Sequence, residues 1–186
     1  MEFHHVSILL EPCLEALHIK PDGVYVDATT GGAGHSLRIA ERLHDTGRLV
    51  CIDRDDEALE NAKVRLKKVW QRVYTVKSDF REIDRVLASL GLAGADGILF
   101  DLGVSSPQLD HAERGFSYMK DAPLDMRMNQ RAHLTAADVV NGYDHVRLTT
   151  LLRDYGELDS PHRITQCIER SRAERPLAMI DELIAA

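Results

Sequence analysis

The sequence contains few aromatic residues and few cysteines. Phe, Trp and Tyr make up only 5% of its 186 residues, so a core must be built mainly from Leu, Ile, Val and Ala. The three cysteines, Cys13, Cys51 and Cys167, lie far apart and form no CxxC or Cys/His pattern. This spacing excludes the usual signatures of a disulfide framework or a zinc site, so no metal is expected. We expect small, buried thiols in a reducing compartment.

The sequence also lacks long apolar runs and a net positive charge. No apolar run approaches the roughly 18 residues of a membrane-spanning helix, and the N-terminus has no signal-peptide pattern. These absences predict a soluble, cytoplasmic protein that does not bind membranes. The net charge of −7 argues against binding bare duplex nucleic acid by overall charge, although a local basic surface remains compatible with it.

Hydrophobic residues account for 44% of the chain and charged residues for 28%, which is enough for a packed core. Over residues 24–103, short apolar runs such as VYVDA, LVCID and GILFD alternate with amphipathic segments. Runs that are apolar on both faces are typical of a parallel sheet covered by helices on each side. The sequence therefore predicts an α/β fold. Its parallel strands are expected at residues 24–28, 48–53, 73–77 and 97–101.

Helical periodicity and capping residues predict helices between and after these strands. The first group covers residues 36–43, a segment capped by Asp55 or Asp56, and residues 81–92. Residues 104–134 show little periodicity and are expected to form a functional loop. Later helices are expected to begin at Thr135, Asp144, Ser160-Pro161 and Pro176, with no further strand. We therefore predict two regions, residues 1–131 and residues 132–186.

The segment VDATTGGAGHS, residues 26–36, combines an acidic strand end with a turn of small residues that opens into a helix. Glycines in such a turn allow a ligand to approach the backbone N–H groups. The dinucleotide pattern GxGxxG fails, because Leu37 occupies the third glycine position counted from Gly32. A cofactor without phosphates, such as S-adenosylmethionine, needs only a tight loop. An ordinary glycine turn explains the segment equally well.

Two further strand ends carry acidic residues. Asp53 closes the second predicted strand, 19 residues after Gly34, where a carboxylate can accept both hydroxyls of an adenosine ribose. Asp79 and Phe80 follow the third strand and suit the amino group and the face of adenine. The alternative for this pair is a helix cap beside a core phenylalanine. Together the strand ends predict a nucleoside pocket at the carboxyl edge of the sheet.

The segment DLGVSSPQLDHAERGFSYMKDAPLDMRM, residues 101–128, is dense in polar groups. Asp101 ends the fourth predicted strand, and Ser105, Ser106 and Gln108 add hydrogen-bonding side chains soon after it. The later residues of functional interest in this segment are Arg114, Asp125 and Arg127. Asp101 would lie beside the methyl donor of such a cofactor, and Asp101, Ser105 and Ser106 are the candidate catalytic residues.

These motifs resemble the RsmH/MraW family of bacterial 16S ribosomal RNA cytosine-N4 methyltransferases. The resemblance extends over essentially the whole chain. It includes the HVSILL segment at residues 5–10, DATTGGAGHS, IDRD, the Asp79-Phe80 pair, DLGVSSPQLD, RGFSY, PLDMRM and YGE. DLGVSSPQLD together with RGFSY and PLDMRM is long and unusual, which makes the match specific.

The resemblance implies a Rossmann-like class I methyltransferase core that uses S-adenosylmethionine to methylate N4 of a cytidine in the decoding region of 16S ribosomal RNA, within the small subunit. The implied cofactor contacts are Ala33, Gly34, His35, Asp53, Phe80, Asp101 and Gln108. Residues after about Arg131 resemble a helical insertion that recognises RNA. Arg163 and Arg170 are candidates there because a spacing of seven residues places them on one helix face. A solvated face paired with Glu169 and Glu174 is an equal alternative.

Three departures from the family are apparent, and one of them is Pro12, which stands where the family often has glutamate. Ala33 stands where the family usually has glycine, which is tolerable if its φ is negative. The chain also stops before the segments that complete the family's sheet, so the sheet is expected to be incomplete, with an unpaired edge. This makes a second function possible, in which a half-methyltransferase binds S-adenosylmethionine or RNA without turnover. A nicotinamide-dependent oxidoreductase is disfavoured by the missing third glycine. The oligomeric state is left open.

Overall fold

The computed structural model describes residues 7–186. The chain divides into two compact units, the first ending at Ser106 and the second comprising Pro107–Ala186. Of the HVSILL segment used in the resemblance, His5 and Val6 lie outside the described residues. Within residues 7–186, no helix is both long and apolar enough to cross a bilayer.

The first unit is built on a parallel sheet of four strands. The strands are β1 (Val24–Asp27), β2 (Arg48–Asp53), β3 (Val73–Lys77) and β4 (Gly97–Leu99), in the order β3-β2-β1-β4. All four predicted strands are present, although β1 and β4 end one and two residues earlier than expected. The predicted α/β fold with a parallel sheet is confirmed.

Helices cover both faces of this sheet. They are α1 (Leu10–Ala16), α2 (Gly34–Ala40), α3 (Asp56–Arg65) and α4 (Ile83–Ser89), with 3₁₀ turns at Lys67–Arg72 and Phe80–Glu82. Asp55 caps α3 by accepting a hydrogen bond from the Glu57 amide at 3.1 Å, as one of the two predicted caps. One face packs on α1, α2 and α3 through residues such as Leu49 and Cys51, and the opposite face packs on α4 through Val50 and Ile52. Two covered faces explain the continuously apolar strand sequences.

Ala33 adopts a left-handed backbone conformation with φ of 56°. On sequence grounds Ala33 is expected to be tolerated if its φ is negative, and this condition is not met. The left-handed region brings Cβ too close to the following carbonyl oxygen, at a cost of about 1–2 kcal/mol. The Ala33 side chain is fully buried in the same cluster as Ile39 and Leu49. Packing of the buried methyl group offsets part of the backbone strain.

Replacing Ala33 with glycine is expected to leave the free energy of unfolding unchanged or to raise it by up to about 1 kcal/mol, because relief of the left-handed strain exceeds the loss of one buried methyl group. Ala40 offers a matched control, since it is equally buried in the same cluster but lies in right-handed helix α2. Ala40→Gly is expected to cost about 1–2 kcal/mol through lost packing and helix propensity. Chemical denaturation measures both variants, and equal destabilisation by the two would contradict the strain assignment.

The second unit contains five helices in the described residues. They are α5 (Ser106–Asp110), which begins at the unit boundary, α6 (Ala136–Gly142), α7 (His145–Gly156), α8 (Pro161–Glu174) and α9 (Ile180–Ala185). The predicted caps Thr135 and Asp144 are confirmed, and Thr135 forms a reciprocal capping box with Asp138. Residues 104–134 are not simply a loop, because α5 and a 3₁₀ turn at Ala112–Arg114 lie within them.

The prediction that a helix begins at Pro176 is wrong, because α9 begins at Ile180. The intervening chain is held in extended form by backbone pairing, in which Leu124 N–H donates to the Ala178 carbonyl at 2.9 Å and Pro123 bridges to Met179. These long-range bonds, which are invisible in local sequence, satisfy the backbone groups that a helix would otherwise use.

The core of the second unit includes side chains from both its helices and the preceding segment. Its buried members are Ala122, Leu124, Val140, Leu148, Ile168, Leu177 and Ile180. Because Ala122 and Leu124 are buried among helical residues, the segment that follows Pro107 folds with the helices. The structural boundary therefore lies between Ser106 and Pro107, earlier than the boundary at residues 131/132 expected from the sequence.

Candidate active site

The carboxyl ends of the four parallel strands lie at one edge of the first unit. Asp27 and Asp53 are the last residues of β1 and β2, while Asp79 and Asp101 each follow the end of a strand by two residues. The glycine-rich loop, residues 28–33, leaves the same edge between β1 and α2. Polar groups are therefore concentrated where open parallel sheets bind ligands.

Asp53 ties the glycine-rich loop to β2. Its Oδ2 accepts a hydrogen bond from Gly31 N–H at 2.9 Å, and its Oδ1 accepts one from Asp55 N–H at 2.9 Å. Burial raises the pKa of the Asp53 carboxyl above its ordinary value, while these backbone hydrogen bonds lower it. The two backbone hydrogen bonds hold the carboxylate in place. Because each oxygen can accept more than one hydrogen bond, the group can still accept hydrogen bonds from hydroxyl groups.

The glycine-rich loop has room above its backbone at two positions. Gly31 has φ of 47°, a conformation that favours glycine. Cβ atoms built on Gly31 and Gly32 would find their nearest described neighbours at 3.8 and 3.9 Å, whereas one on Gly34 would overlap the Ser7 hydroxyl. A side chain at position 34 would therefore displace the Ser7 hydroxyl, whereas Gly31 and Gly32 leave space for a ligand at the loop.

Asp27 anchors the underside of this loop and was not among the predicted site residues. It is almost fully buried, and its two oxygens accept hydrogen bonds from the Ser36 hydroxyl at 2.5 Å and from Thr29 N–H at 3.2 Å. Burial raises the pKa of the Asp27 carboxyl above its ordinary value, against the lowering effect of these two bonds. The acidic strand end was visible in the sequence, but its internal role depends on contacts with the start of α2.

Replacing Asp27 with asparagine tests this buried carboxyl. Because its pKa is raised in the folded chain, the folded state binds the proton more tightly than the unfolded state does. The parent protein is therefore expected to lose stability as the pH rises from the unfolded value near 3.8 through the raised folded value. Asparagine keeps the shape without the charge, so the stability advantage of Asp27→Asn over the parent should grow with pH. Thermal denaturation from pH 4 to pH 8 measures this, and a difference that stays constant over the whole range would contradict it.

The Asp79-Phe80 pair combines features of both sequence-based interpretations. Asp79 caps the 3₁₀ turn and accepts hydrogen bonds from the Arg81 backbone and guanidinium. These bonds to Arg81, helped by nearby Arg54, lower the pKa of Asp79 to about 2. Phe80 is not a core residue: it is 38% exposed and meets the half-exposed Phe100 edge-to-face, with ring centroids 5.7 Å apart. The exposed ring is available for a flat ligand, while Asp79 is a cap.

Asp101 presents its carboxylate beside the glycine-rich loop. Its side chain is 52% exposed, and its backbone N–H donates to Thr29 Oγ1 at 2.7 Å. Its Oδ2 lies 3.8 Å from Nδ1 of the buried His35. His35 Nε2 lies 3.1 Å from the carbonyl oxygen of Ile8. Because a carbonyl only accepts, Nε2 carries the hydrogen, and in a neutral ring Nδ1 is an acceptor facing Asp101.

Ser105 lies close to the glycine-rich loop, and Ser106 begins α5. A Cβ built on Gly31 would lie 3.9 Å from Ser105 Cβ. Gln108 is buried within α5 and belongs to the second unit. The first unit therefore brings together Ala33, Gly34, His35, Asp53, Phe80, Asp101 and Ser105. The predicted roles of these residues, and those of Ser106 and Gln108, stay predictions.

Arg114, Asp125 and Arg127 hold the fold of their own segment. Arg114 is buried and donates to the carbonyl oxygens of Arg127 and Met128, each at 3.1 Å. Arg127 forms a bidentate pair with Asp125 and donates to the Ala132 carbonyl at 2.8 Å. The polar density of this segment therefore has a structural explanation.

Arg163 and Arg170 are both exposed on α8. Arg170 contacts the Gln166 carbonyl and Cys167 Sγ, whereas Glu169 pairs with His145 and Arg172. Across residues 7–186, neither Arg163 nor Arg170 forms an ion pair with an acidic side chain. Likewise, no group of three or more His, Cys, Asp or Glu side chains in this part of the chain is arranged to hold a metal ion.

Comparison with known proteins agrees with the motifs described above. The chain is 50% identical over 184 residues to a protein of Brevibacillus brevis named ribosomal RNA small subunit methyltransferase H, and 52% identical to its namesake in Clostridioides difficile. Each alignment covers 99% of this chain and 59% of the relative, so the chain spans about three-fifths of these relatives' length.

A solved structure of the O-methyltransferase TomG from Streptomyces achromogenes, in complex with SAM, matches 92% of this chain and 70% of its own, with 19% identity and a TM-score of 0.44. A family model described as the MraW methylase family matches residues 2–186. Because that model covers nearly the entire sequence, the chain belongs to the MraW methylase family.

Proposed function

We propose that this chain carries the S-adenosylmethionine site and the catalytic carboxylate of an enzyme that methylates N4 of a cytidine in 16S ribosomal RNA, in the decoding region of the small subunit. The observation that carries the proposal is the convergence of the glycine-rich loop, Asp53, Phe80 and Asp101 at one edge of the sheet. The names of the B. brevis and C. difficile relatives support the RNA substrate.

The residues at this edge suit S-adenosylmethionine better than a phosphate-bearing cofactor. The open backbone at Gly31 and Gly32 suits the amino-acid part, the two oxygens of Asp53 suit the ribose hydroxyls, and the exposed ring of Phe80 suits adenine. Basic side chains that would neutralise a pyrophosphate are not needed for this ligand. When bound, the cofactor supplies a sulfonium methyl group that is already activated for transfer.

The chain's own contribution to the reaction is alignment and proton acceptance. The amino group of cytosine is a weak nucleophile, because its lone pair is delocalised into the ring. A hydrogen bond from that amine to the Asp101 carboxylate would favour a pyramidal nitrogen. As the methyl group passes from sulfur to nitrogen and leaves a neutral thioether, the carboxylate would take up the proton that the nitrogen loses. His35 Nδ1 lies 3.8 Å from the same carboxylate, and Ser105 and Ser106 are further candidate acceptors. Exclusion of water and alignment of the reactants supply the remaining rate enhancement.

Exposed arginines of the second unit are the proposed contacts to the RNA backbone. Arg163 and Arg170 lie on α8, seven residues apart, and their guanidinium groups carry no acidic partner among the described residues. Phosphate contacts made by such groups position a nucleic acid and depend on salt. A chain with a net charge of −7 would need a local surface of this kind.

Calorimetric titration with S-adenosylmethionine, together with tritium-methyl transfer to small ribosomal subunits, tests the proposed function. Binding accompanied by transfer to N4 of a cytidine supports the enzyme. Transfer to another base or to protein would contradict the assigned substrate. Failure to bind S-adenosylmethionine would contradict the cofactor site.

The second candidate is a module that binds S-adenosylmethionine or RNA without turnover. It is favoured by strand β4, which within the described residues pairs only with β1 and leaves Ile98, Phe100 and Leu102 between 42% and 70% exposed. An uncovered apolar edge of this kind usually needs a partner. Binding in the titration without methyl transfer would favour this module over the enzyme.

A further inference from the structure

The backbone at Asp101 lies beyond the hydrogen-bonded ladder of the sheet. Strand β4 ends at Leu99, and the last backbone bond at this point runs from Ala28 N–H to the Leu99 carbonyl at 2.9 Å. Two residues later, Asp101 N–H donates to the Thr29 hydroxyl oxygen at 2.7 Å. A side chain of the glycine-rich loop thus replaces the neighbouring strand as the partner of the Asp101 backbone.

Thr29 is itself held by Asp27, the last residue of β1. Its backbone N–H donates to Asp27 Oδ1 at 3.2 Å, and the other oxygen of Asp27 is occupied by the Ser36 hydroxyl at 2.5 Å. Asp27 is 1% exposed at the end of β1. Two consecutive hydrogen bonds therefore connect a rigid, buried carboxylate to the backbone of Asp101.

Few other contacts restrain this strand end. The Asp101 side chain is half exposed, and the next residues, Leu102 and Val104, are also exposed. Between them, Gly103 has φ of 144°, a conformation open mainly to glycine. Without an anchor at Asp101, the position of its carboxylate relative to the glycine-rich loop would vary.

We propose that Thr29 is a positioning residue for methyl transfer, which fixes the backbone of Asp101 through its hydroxyl oxygen. The proposal rests on the proposed function for the role of Asp101. It assigns to Thr29 a task that needs an acceptor atom, so serine can perform it and valine cannot. A displacement of about 1 Å at a reacting group can lower a rate about 100-fold, so one hydrogen bond at this place has a measurable effect.

The test compares Thr29→Val, which keeps the side-chain shape, with Thr29→Ser, which keeps the acceptor. Thr46→Val is the matched control: its hydroxyl donates to the Asp22 carboxylate near the amino ends of β1 and β2, at the opposite edge of the sheet from Asp101. We expect Thr29→Val to lower kcat about 10-fold while the Kd for S-adenosylmethionine changes less than about twofold, because misplacement affects the reacting geometry. Thr29→Ser should restore kcat to near the parent value, and Thr46→Val should leave kcat close to the parent value.

Amide hydrogen exchange provides a readout independent of activity. The Asp101 amide should lose protection in Thr29→Val and keep it in Thr29→Ser and Thr46→Val. Thr29→Ala gives the same comparison if Thr29→Val does not fold. Unchanged protection and unchanged kcat in Thr29→Val would overturn the proposal, as would equal losses of kcat in Thr29→Val and Thr46→Val. If the parent chain binds S-adenosylmethionine but transfers no methyl group, the proposed function fails, and exchange at Asp101 still decides whether Thr29 anchors this strand end.

Discussion

Asp101→Ala is expected to lower kcat for methyl transfer by roughly 100-fold or more at saturating S-adenosylmethionine and RNA, the usual range for loss of a positioned proton acceptor. The substitution removes the carboxylate and keeps the backbone N–H that donates to Thr29 at 2.7 Å. The strand end therefore stays anchored, and the loss reports on the carboxylate itself. Tritium-methyl transfer to small ribosomal subunits measures kcat, and calorimetry measures cofactor binding separately.

Asp101→Asn and Asp96→Ala complete this experiment. Asparagine keeps the size of the side chain but cannot take up a proton, so its kcat should fall in the same direction. Asp96 is a matched aspartate at the amino end of β4, where it pairs with Lys20 at 2.7 Å, far along the strand from the carboxyl edge. Its replacement should leave kcat close to the parent value. An Asp101→Ala protein that retains the parent kcat would remove Asp101 from the catalytic role.

Asp53→Ala is expected to raise the Kd for S-adenosylmethionine about 100-fold or more, because hydrogen bonds to charged groups contribute about 1.5–3 kcal/mol each. Two effects act together. The ribose hydroxyls lose their acceptor, and the Gly31 and Asp55 amides lose the carboxylate that accepts from both. Calorimetric titration measures the change, with Asp96→Ala again as the control.

A cofactor analogue that lacks the ribose 2′-hydroxyl separates these two effects. The parent protein should bind this 2′-deoxy analogue more weakly than S-adenosylmethionine, because one hydrogen bond to Asp53 is missing. In Asp53→Ala the two ligands should bind with nearly equal affinity, since the acceptor is gone in both cases. An Asp53→Ala protein that still discriminates between them would show that the ribose is recognised by another group.

Much of the candidate site could be predicted from local sequence, because the residues at the strand ends form a recognisable pattern. A short apolar run followed by Asp27, Asp53 or Asp101 marks the carboxyl edge of a parallel sheet, and the parallel order brings those ends together. The glycine-rich turn and the caps at Asp55, Thr135 and Asp144 are likewise local signals. The nature of the family followed from the unusual segment at residues 101–128, and the family match confirms it.

Predictions that depended on distant contacts were less successful. The φ of Ala33 is 56° although alanine disfavours this region, because the turn between β1 and α2 and the surrounding core impose it. The sequence predicts that a helix begins at Pro176, but the chain is extended until α9 begins at Ile180. Residues 122–124 supply this stretch with backbone partners from more than fifty positions earlier in the chain. For the same reason, the segment after Pro107 belongs with the helices and not with the sheet.

The amino-acid sequence by itself determined the strands, the position of their polar ends and the residue types available for an adenosine-bearing cofactor, because these depend on apolar runs and short-range spacing. Only the tertiary structure decided which of those polar groups serve the fold and which are free to meet a ligand. Asp27 is almost fully buried, with its oxygens bonded to Ser36 and Thr29, and Asp79 is bonded to Arg81. Asp53 is only partly buried and the Asp101 side chain is half exposed, so the carboxylates of these two residues can still meet a ligand. Burial of Asp27 at the end of β1 and the conformation of the Arg81 side chain make that distinction, and neither can be read from the acidic strand ends alone.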